Sequence, residues 1–256
     1  TLLHLESADS GISPTIWQAK SFPNRFREKI SVIHDGIDTD NLRPDPMAHV
    51  DLPGDVTLGK DDEVVTFVSR NLEPYRGFHI FLRSLPRLLL IRKNVVVVIV
   101  GTDSLSGYGA PHPSGQTWKE VLWTETAGAL TDQQLKRVVF VGNLGYKDFV
   151  SLLQVSKVHV YLTYPFVLSW SLLEAMSIGC PVVASDTAPL EEVIEHEKNG
   201  ILTDFFAPDN LATSIHQLLN DETIRLQLGA EARRTAVDKY DLSRQCLPNQ
   251  ISWVEK

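Results

Sequence analysis

From residue 63 onward, short runs of β-branched residues alternate with longer stretches of helical periodicity. Residues 63–69 predict a strand, 77–91 a helix and 93–101 a second strand, and 138–142, 146–154 and 158–163 repeat strand, helix, strand. The run VVVVIV at 95–100 has no polar position, as expected of a strand covered by helices on both faces. Residues 163–185, TYPFVLSWSLLEAMSIGCPVVAS, then predict a strand end, a loop, a helix and another strand. Ser169 is the candidate N-cap, Leu172, Leu173, Met176 and Ile178 form the apolar face, and Gly179 is the stop. Beyond it come a helix at 190–197, a turn at Lys198-Asn199-Gly200, a strand at 201–203, and helices at 208–219, 222–239 and 242–254. At least five βα units predict an α/β fold with a doubly wound, Rossmann-like parallel sheet.

The chain before residue 63 lacks that order. Residues 1–30 read as a lead-in with one short helix, opening at Ser13-Pro14-Thr15 and ended by Pro23. A strand at 31–34 and a turn at Asp35-Gly36-Ile37-Asp38 follow, and Pro44, Pro46 and Pro53 predict an irregular path to about Asp62. A second unpatterned stretch, 102–130, predicts a helix only around 118–123 and has the character of a lid or insertion.

Composition narrows the function. With 43% hydrophobic and 22% charged positions among 256, the chain can bury a substantial core, and a net charge of −8 argues against a nucleic-acid binder. Any phosphate must then be met by a few placed groups. Cys180 and Cys246 lack metal-ligand spacing and fit a reduced, cytoplasmic setting, with peripheral attachment at the inner membrane face as the variant. The longest apolar run is too short to span a bilayer, the start lacks the features of a signal peptide, and a chain opening without Met reads as a fragment.

Ligands of doubly wound sheets sit beyond the carboxyl ends of the strands. The residues to inspect are therefore Ser69-Arg70, Gly101-Thr102-Asp103, Gly142-Asn143-Leu144, 163–171 and Ser185-Asp186. The helix start at Ser169 offers free amides to an anion, and Arg70 and Arg76 offer guanidiniums to a diphosphate; the competing reading pairs both with Glu73 and surface acids. Glu174, a lone acid in an apolar helix, can reach sugar hydroxyls beside that anion, or else is a surface carboxylate. Phosphate beside a diol denotes a nucleotide or nucleotide-sugar. Glu191 and Glu192 read as solvated capping residues, His34 ends a strand, and His79, His159 and His196 read as core-edge or surface residues. Neither a histidine metal pair nor a Gly-rich phosphate motif is present in the sequence.

S-R-x5-R-G at 69–77, VVVVIVG at 95–101, VVFVG at 138–142 and SLLEAMSIGCPVVAS at 171–185 together resemble the C-terminal, donor-binding domain of the group-1 (family 4) glycosyltransferases, of GT-B architecture. HDGID at 34–38 resembles the segment that enters this domain. The resemblance implies that Arg70 and Arg76 clamp the donor diphosphate, with Arg76 where the family has Lys, and that Glu174 holds the ribose. It further implies donor contacts at Ser69, Ser169, Trp170, Ser171 and Leu172, and reading of the base at Gly142, Asn143 and Leu144. The implied reaction is hexosyl transfer with retention, from a UDP-sugar such as UDP-glucose to a glycan or lipid-linked acceptor in polysaccharide synthesis, with no metal or other cofactor. The implied domains are an interdomain segment at 1–38, a nucleotide-sugar domain at 39–240, and a helix at 241–256 packing toward an N-terminal acceptor-binding domain that this chain lacks, leaving it incomplete as an enzyme. One departure stands out: Phe166 occupies the position of the first Glu of the family's E-x7-E. The alternatives are a GT-B nucleotide-sugar epimerase and a non-catalytic nucleotide-binding module.

Overall fold

The structure, a computed structural model, describes residues 2–54 and 56–255. The lead-in holds α1 (Leu2–Ser7), β1 (Gly11–Ser13), α2 (Ile16–Lys20), α3 (Asn24–Arg27) and β2 (Ile30–Val32), and β1 pairs with β2 as a separate parallel ribbon. The strand expected at 31–34 thus ends at Val32, because the chain turns at His34, whose Nδ1 accepts the Gly36 amide at 3.0 Å. The expected irregular path to Asp62 is also corrected. It contains an antiparallel hairpin, β3 (His49–Leu52) and β4 (Val56–Gly59), whose buried Val50, Leu52 and Leu58 alternate with exposed positions.

The main body follows as β5 (Val64–Asn71), a 3-10 turn Pro74–Arg76, α4 (Phe78–Ile91), β6 (Val96–Thr102), α5 (Trp118–Ala127), α6 (Asp132–Leu135) and β7 (Val138–Gly142). Then come α7 (Tyr146–Val155), β8 (Val158–Tyr161), α8 (Trp170–Ile178), β9 (Val182–Ser185), α9 (Ala188–Glu191), β10 (Ile201–Thr203), α10 (Pro208–Asn220) and α11 (Glu222–Tyr240). A π-helical turn, Leu242–Cys246, leads into α12 (Leu247–Val254). The helix expected at 190–197 stops at Glu191, because Asn199 accepts the Glu195 amide at 2.7 Å and donates to the Val193 carbonyl at 3.0 Å, folding the segment into a loop.

Six strands form one parallel sheet in the order β10-β9-β8-β5-β6-β7. The chain winds outward from β5 to β7, then crosses back to place β8 on the other side of β5. The β5/β8 boundary is therefore the topological switch, where such sheets open a crevice. Along β5 and β6, Val65, Phe67, Val97 and Ile99 enter the core with Phe81, Leu85 and Leu88 of α4 and Ile215 of α10, while Val64, Val98 and Val100 face Leu152 of α7 and the β3–β4 hairpin. Burying each such side chain contributes roughly 1.5–3 kcal/mol. The segments flanking the main body meet where Ile37 bridges Asp241, and Gln250 Nε2 donates to the His34 carbonyl at 3.0 Å. Exposed on α12 are Leu247, Ile251 and Val254. Among the described residues, no helix is long and apolar enough to cross a membrane.

Candidate functional site

The site begins at the start of α8, beside the β5/β8 switch. The Ser169 hydroxyl accepts the Ser171 amide at 3.4 Å, as an N-cap should, and the Ser169 amide donates to Tyr161 Oη at 2.9 Å. Among the described residues the Trp170 amide has no acceptor, which leaves an open N–H at the positive end of the helix. The Trp170 side chain is 57% exposed, and its indole N–H donates to Asp35 at 3.1 Å, tying the turn after β2 to this helix start. Leu172 is fully buried and can offer only backbone.

Arg76 is brought underneath that start by the turn before α4. Gly77 closes the turn at φ 71°, and a Cβ there would stand 2.3 Å from that of Leu162, so only glycine lets the turn approach the end of β8. Arg76 Nη1 donates to Tyr161 Oη at 3.1 Å, Thr163 Oγ1 at 3.2 Å and the Val167 carbonyl at 3.1 Å. Tyr161 Oη thus links Arg76 to Ser169. The guanidinium is buried, pairs with no carboxylate among the described residues, and keeps Nε and Nη2 without protein acceptors.

Arg70 is exposed at the end of β5, where the ladder to β6 is irregular between Val68 and Asn71. Its guanidinium has no partner among the described residues and faces a 560 Å³ cavity lined also by Asn71, Thr102, Ser104, Tyr108 and Asn143. The structure therefore joins Arg76, but not Arg70, to the Ser169 helix start. Neither arginine pairs with Glu73, whose buried carboxylate instead accepts the amides of Tyr108 at 3.0 Å and Gly109 at 3.2 Å. A side chain at Gly107 would come within 2.1 Å of that carboxylate. Ser69 turns inward and donates to the Asn71 carbonyl at 2.7 Å.

Glu174 lies one turn into α8, buried, with Oε1 accepting the Tyr146 hydroxyl at 3.0 Å. Burial raises its pKa, against the lowering effect of that hydrogen bond. The Tyr146 phenol is pushed up to about 12 by burial and the Glu174 charge. Gly142 and Asn143 are exposed at the end of β7, and Leu144 is half-buried against the core.

The sequence did not single out Tyr146 or Tyr108, and it offered Glu73 only as a partner for the arginines; the glycines at 107 and 109 are the local feature from which a close approach could have been read. Of the histidines expected at the core edge or surface, His79 is half-buried at the core edge and His159 is corrected to the core. His159 is completely buried, bonded at 3.0 Å to Thr66 and lowered to about 3 by burial, and His79 is lowered to about 4 by burial and by Arg83. Glu192 accepts the amides of Ile16, at 2.9 Å, and Trp17, so it caps α2. No group of three or more metal-ligating side chains occurs among the described residues.

The six-stranded parallel sheet with its switch-point crevice is that of a Rossmann-like α/β domain. Residues 53–235 match the family model of the glycosyl transferases group 1, and residues 1–42 that of the glycosyl transferase family 4 group. The chain belongs to the group 1 glycosyltransferases. Spore coat protein SA of Bacillus subtilis is 29% identical over 92% of this chain and 60% of its own length. The GDP-mannose-dependent alpha-(1-6)-phosphatidylinositol monomannoside mannosyltransferase of Mycobacterium tuberculosis is 27% identical over 80% of this chain and 51% of its own. The chain thus spans between half and three-fifths of the length of these relatives. Among solved structures, HepE of Anabaena in complex with UDP and glucose shares the fold at TM-score 0.75 and 21% identity, covering 100% of this chain and 65% of that one. The C-terminal domain of a glycosyl transferase group 1 family protein from Francisella tularensis does so at TM-score 0.65 and 18% identity, covering 81% of this chain and 100% of that one.

Proposed function

We propose that this chain binds a nucleoside diphosphate sugar as the donor-binding half of a glycosyltransferase. The observation that carries the reading is the grouping at the α8 start: Arg76 with two unused N–H directions, the open Trp170 amide, and Glu174 one turn away. A diphosphate laid on Arg76 and Trp170, with Arg70 closing from the exposed side, sets its ribose at Glu174 and its base toward Gly142, Asn143 and Leu144. As the bond to the sugar breaks, negative charge grows on the leaving diphosphate, and the guanidiniums and helix start stabilise it more than they do the bound donor. No metal is required by this arrangement.

A UDP-sugar such as UDP-glucose is the assigned donor, supported by the UDP and UDP-glucose held by HepE. The relative that uses GDP-mannose makes the base the quantity to test. The acceptor in this reading is a glycan or lipid-linked glycan, met by an N-terminal domain to which residues 1–38 and 241–256 connect the 39–240 body. Calorimetric titration with UDP, GDP, ADP and UDP-glucose tests it. Base-selective binding that Arg70→Ala weakens supports the donor site, and no heat with any of the four overturns it.

A further inference from the structure

Glu73 is a buried carboxylate to which the donor reading gives no role. It stands three residues before Arg76, in extended backbone at the entry to the 3-10 turn, yet it does not neutralise that guanidinium. Its two oxygens are taken by consecutive amides of the loop after β6: Oε1 accepts from Tyr108 at 3.0 Å and Oε2 from Gly109 at 3.2 Å. Such bonds are charge-assisted and hold the loop more firmly than neutral pairs would. Asn71, two residues before Glu73, fastens the preceding part of the same loop, accepting the Ser104 amide at 3.0 Å and donating to the carbonyls of Ser104 and Ser106, each at 3.2 Å. Glycines on either side of Tyr108 permit the approach, since a Cβ at Gly107 would run into the Glu73 carboxylate and one at Gly109 would stand 3.3 Å from the Tyr75 ring. What the fastened loop presents is the Tyr108 ring, whose centroid lies 5.6 Å from the guanidinium carbon of Arg76, with the Phe166 centroid at 5.1 Å. Tyr161, Thr163 and Val167 hold Nη1 alone, so the directions of the open Nε and Nη2 depend on what lies against the rest of the group. Rings restrain a cation there without neutralising it, as a carboxylate would.

We propose that Glu73 is a positioning residue for the diphosphate clamp: by binding the Tyr108 and Gly109 amides it sets the Tyr108 ring against Arg76, which orients the guanidinium and leaves its charge free for the donor. The proposal rests on the donor reading above. Its sign is distinctive. A carboxylate that merely stood near the site would repel a diphosphate, so removing its charge would strengthen binding. A carboxylate that positions the clamp does the reverse, and removing its charge weakens binding.

The test has a ligand-free arm and a binding arm. In the ligand-free chain, the Arg76 Nε–Hε NMR resonance, assigned by its loss in Arg76→Lys, should carry a ring-current shift that Tyr108→Phe keeps and that Tyr108→Leu and Glu73→Gln both reduce. In calorimetry with UDP and GDP, Tyr108→Phe should bind like the unmutated chain. Tyr108→Leu and Glu73→Gln should each weaken the accepted diphosphate by a factor of roughly 5 to 30, the worth of a cation–π contact in a partly desolvated site. Because Glu73 acts through Tyr108, the double variant should bind no more weakly than the weaker single one. The proposal is overturned by an Arg76 resonance that Glu73→Gln leaves in place, by unchanged or tighter diphosphate binding in that variant, or by losses that add in the double variant. If the backbone amide spectrum shows that Glu73→Gln does not fold, Glu73→Asp, which keeps the charge but draws it back by one methylene, is read by the same criteria. Failure of both UDP and GDP to bind the unmutated chain overturns the donor reading and this proposal together, and the ligand-free arm tells that apart from failure of the link between Glu73 and Arg76.

Discussion

At the scale of single residues, the site is a set of polar groups whose neighbours decide their use. In the proposed donor site Glu174 would have to be ionised to accept from two ribose hydroxyls, and burial raises its pKa. Nucleoside diphosphate affinity should therefore rise as pH passes upward through that raised value, while inorganic pyrophosphate, which does not need Glu174, shows no such limb. Tyr146→Phe removes a donor that favours the carboxylate and should move the limb to higher pH; an unmoved limb in calorimetric pH profiles contradicts the assignment. The folding consequence has the same origin. A carboxyl with a raised folded pKa supplies stability below its unfolded value and loses it as pH rises through the folded one, so Glu174→Gln should flatten that decline in urea titrations. Arg70→Ala should weaken diphosphate binding by about 1.5–3 kcal/mol, the worth of a hydrogen bond to a charged group, and unchanged affinity would remove Arg70 from the clamp. Ser169 and Glu174 were legible in the sequence because a cap and a lone acid are local signals. Tyr146 and the Tyr108–Glu73 contact were not, since their partners lie 28 and 35 residues away along the chain.

At the scale of elements, the turn before α4 decides whether Arg76 reaches the helix start. Gly77→Ala should cost about 1–2 kcal/mol for the left-handed backbone and a further ~1–3 kcal/mol for crowding Leu162. Chemical denaturation measures the sum, and a loss below about 1 kcal/mol would mean that β8 and the turn separate easily. The strands of the central sheet were legible because buried parallel strands are unbroken apolar runs, and β7 lies at its expected bounds, Val138–Gly142. β2 was legible with its end shifted, but β1 and the β3–β4 hairpin were not, because strands of three or four residues present too few positions for a period of two to stand out. The segment after α9 misled for a different reason: its apolar spacing suits a helix, but the Asn199 side chain competes for the backbone.

At the scale of the whole molecule, Asp241 joins the segments that flank the main body. Burial pushes its carboxyl up, but the Thr39 hydroxyl, the Arg244 amide and the Arg244 charge more than offset this and hold its pKa below the usual value. That stability is present above the unfolded pKa and lost as pH falls through the lowered folded one. Asp241→Ala, which leaves the buried Thr39 hydroxyl unpaired, should destabilise the chain by about 1–3 kcal/mol at neutral pH and by less in acid; equal losses at both would contradict the linkage. The alternation of strands and helices announced a doubly wound sheet, whereas the side of β5 on which β8 inserts is a long-range choice that no local pattern carries. That insertion creates the crevice on which the donor reading depends. The most direct test follows the backbone amides by heteronuclear NMR while UDP or GDP is added. The largest shifts should fall on Trp170, Ser171 and the 143–145 loop, and Glu174→Gln should weaken them. Shifts confined instead to the separate 590 Å³ cavity lined by Ser214, Asn220 and Gln227 would contradict a nucleotide site at the start of α8.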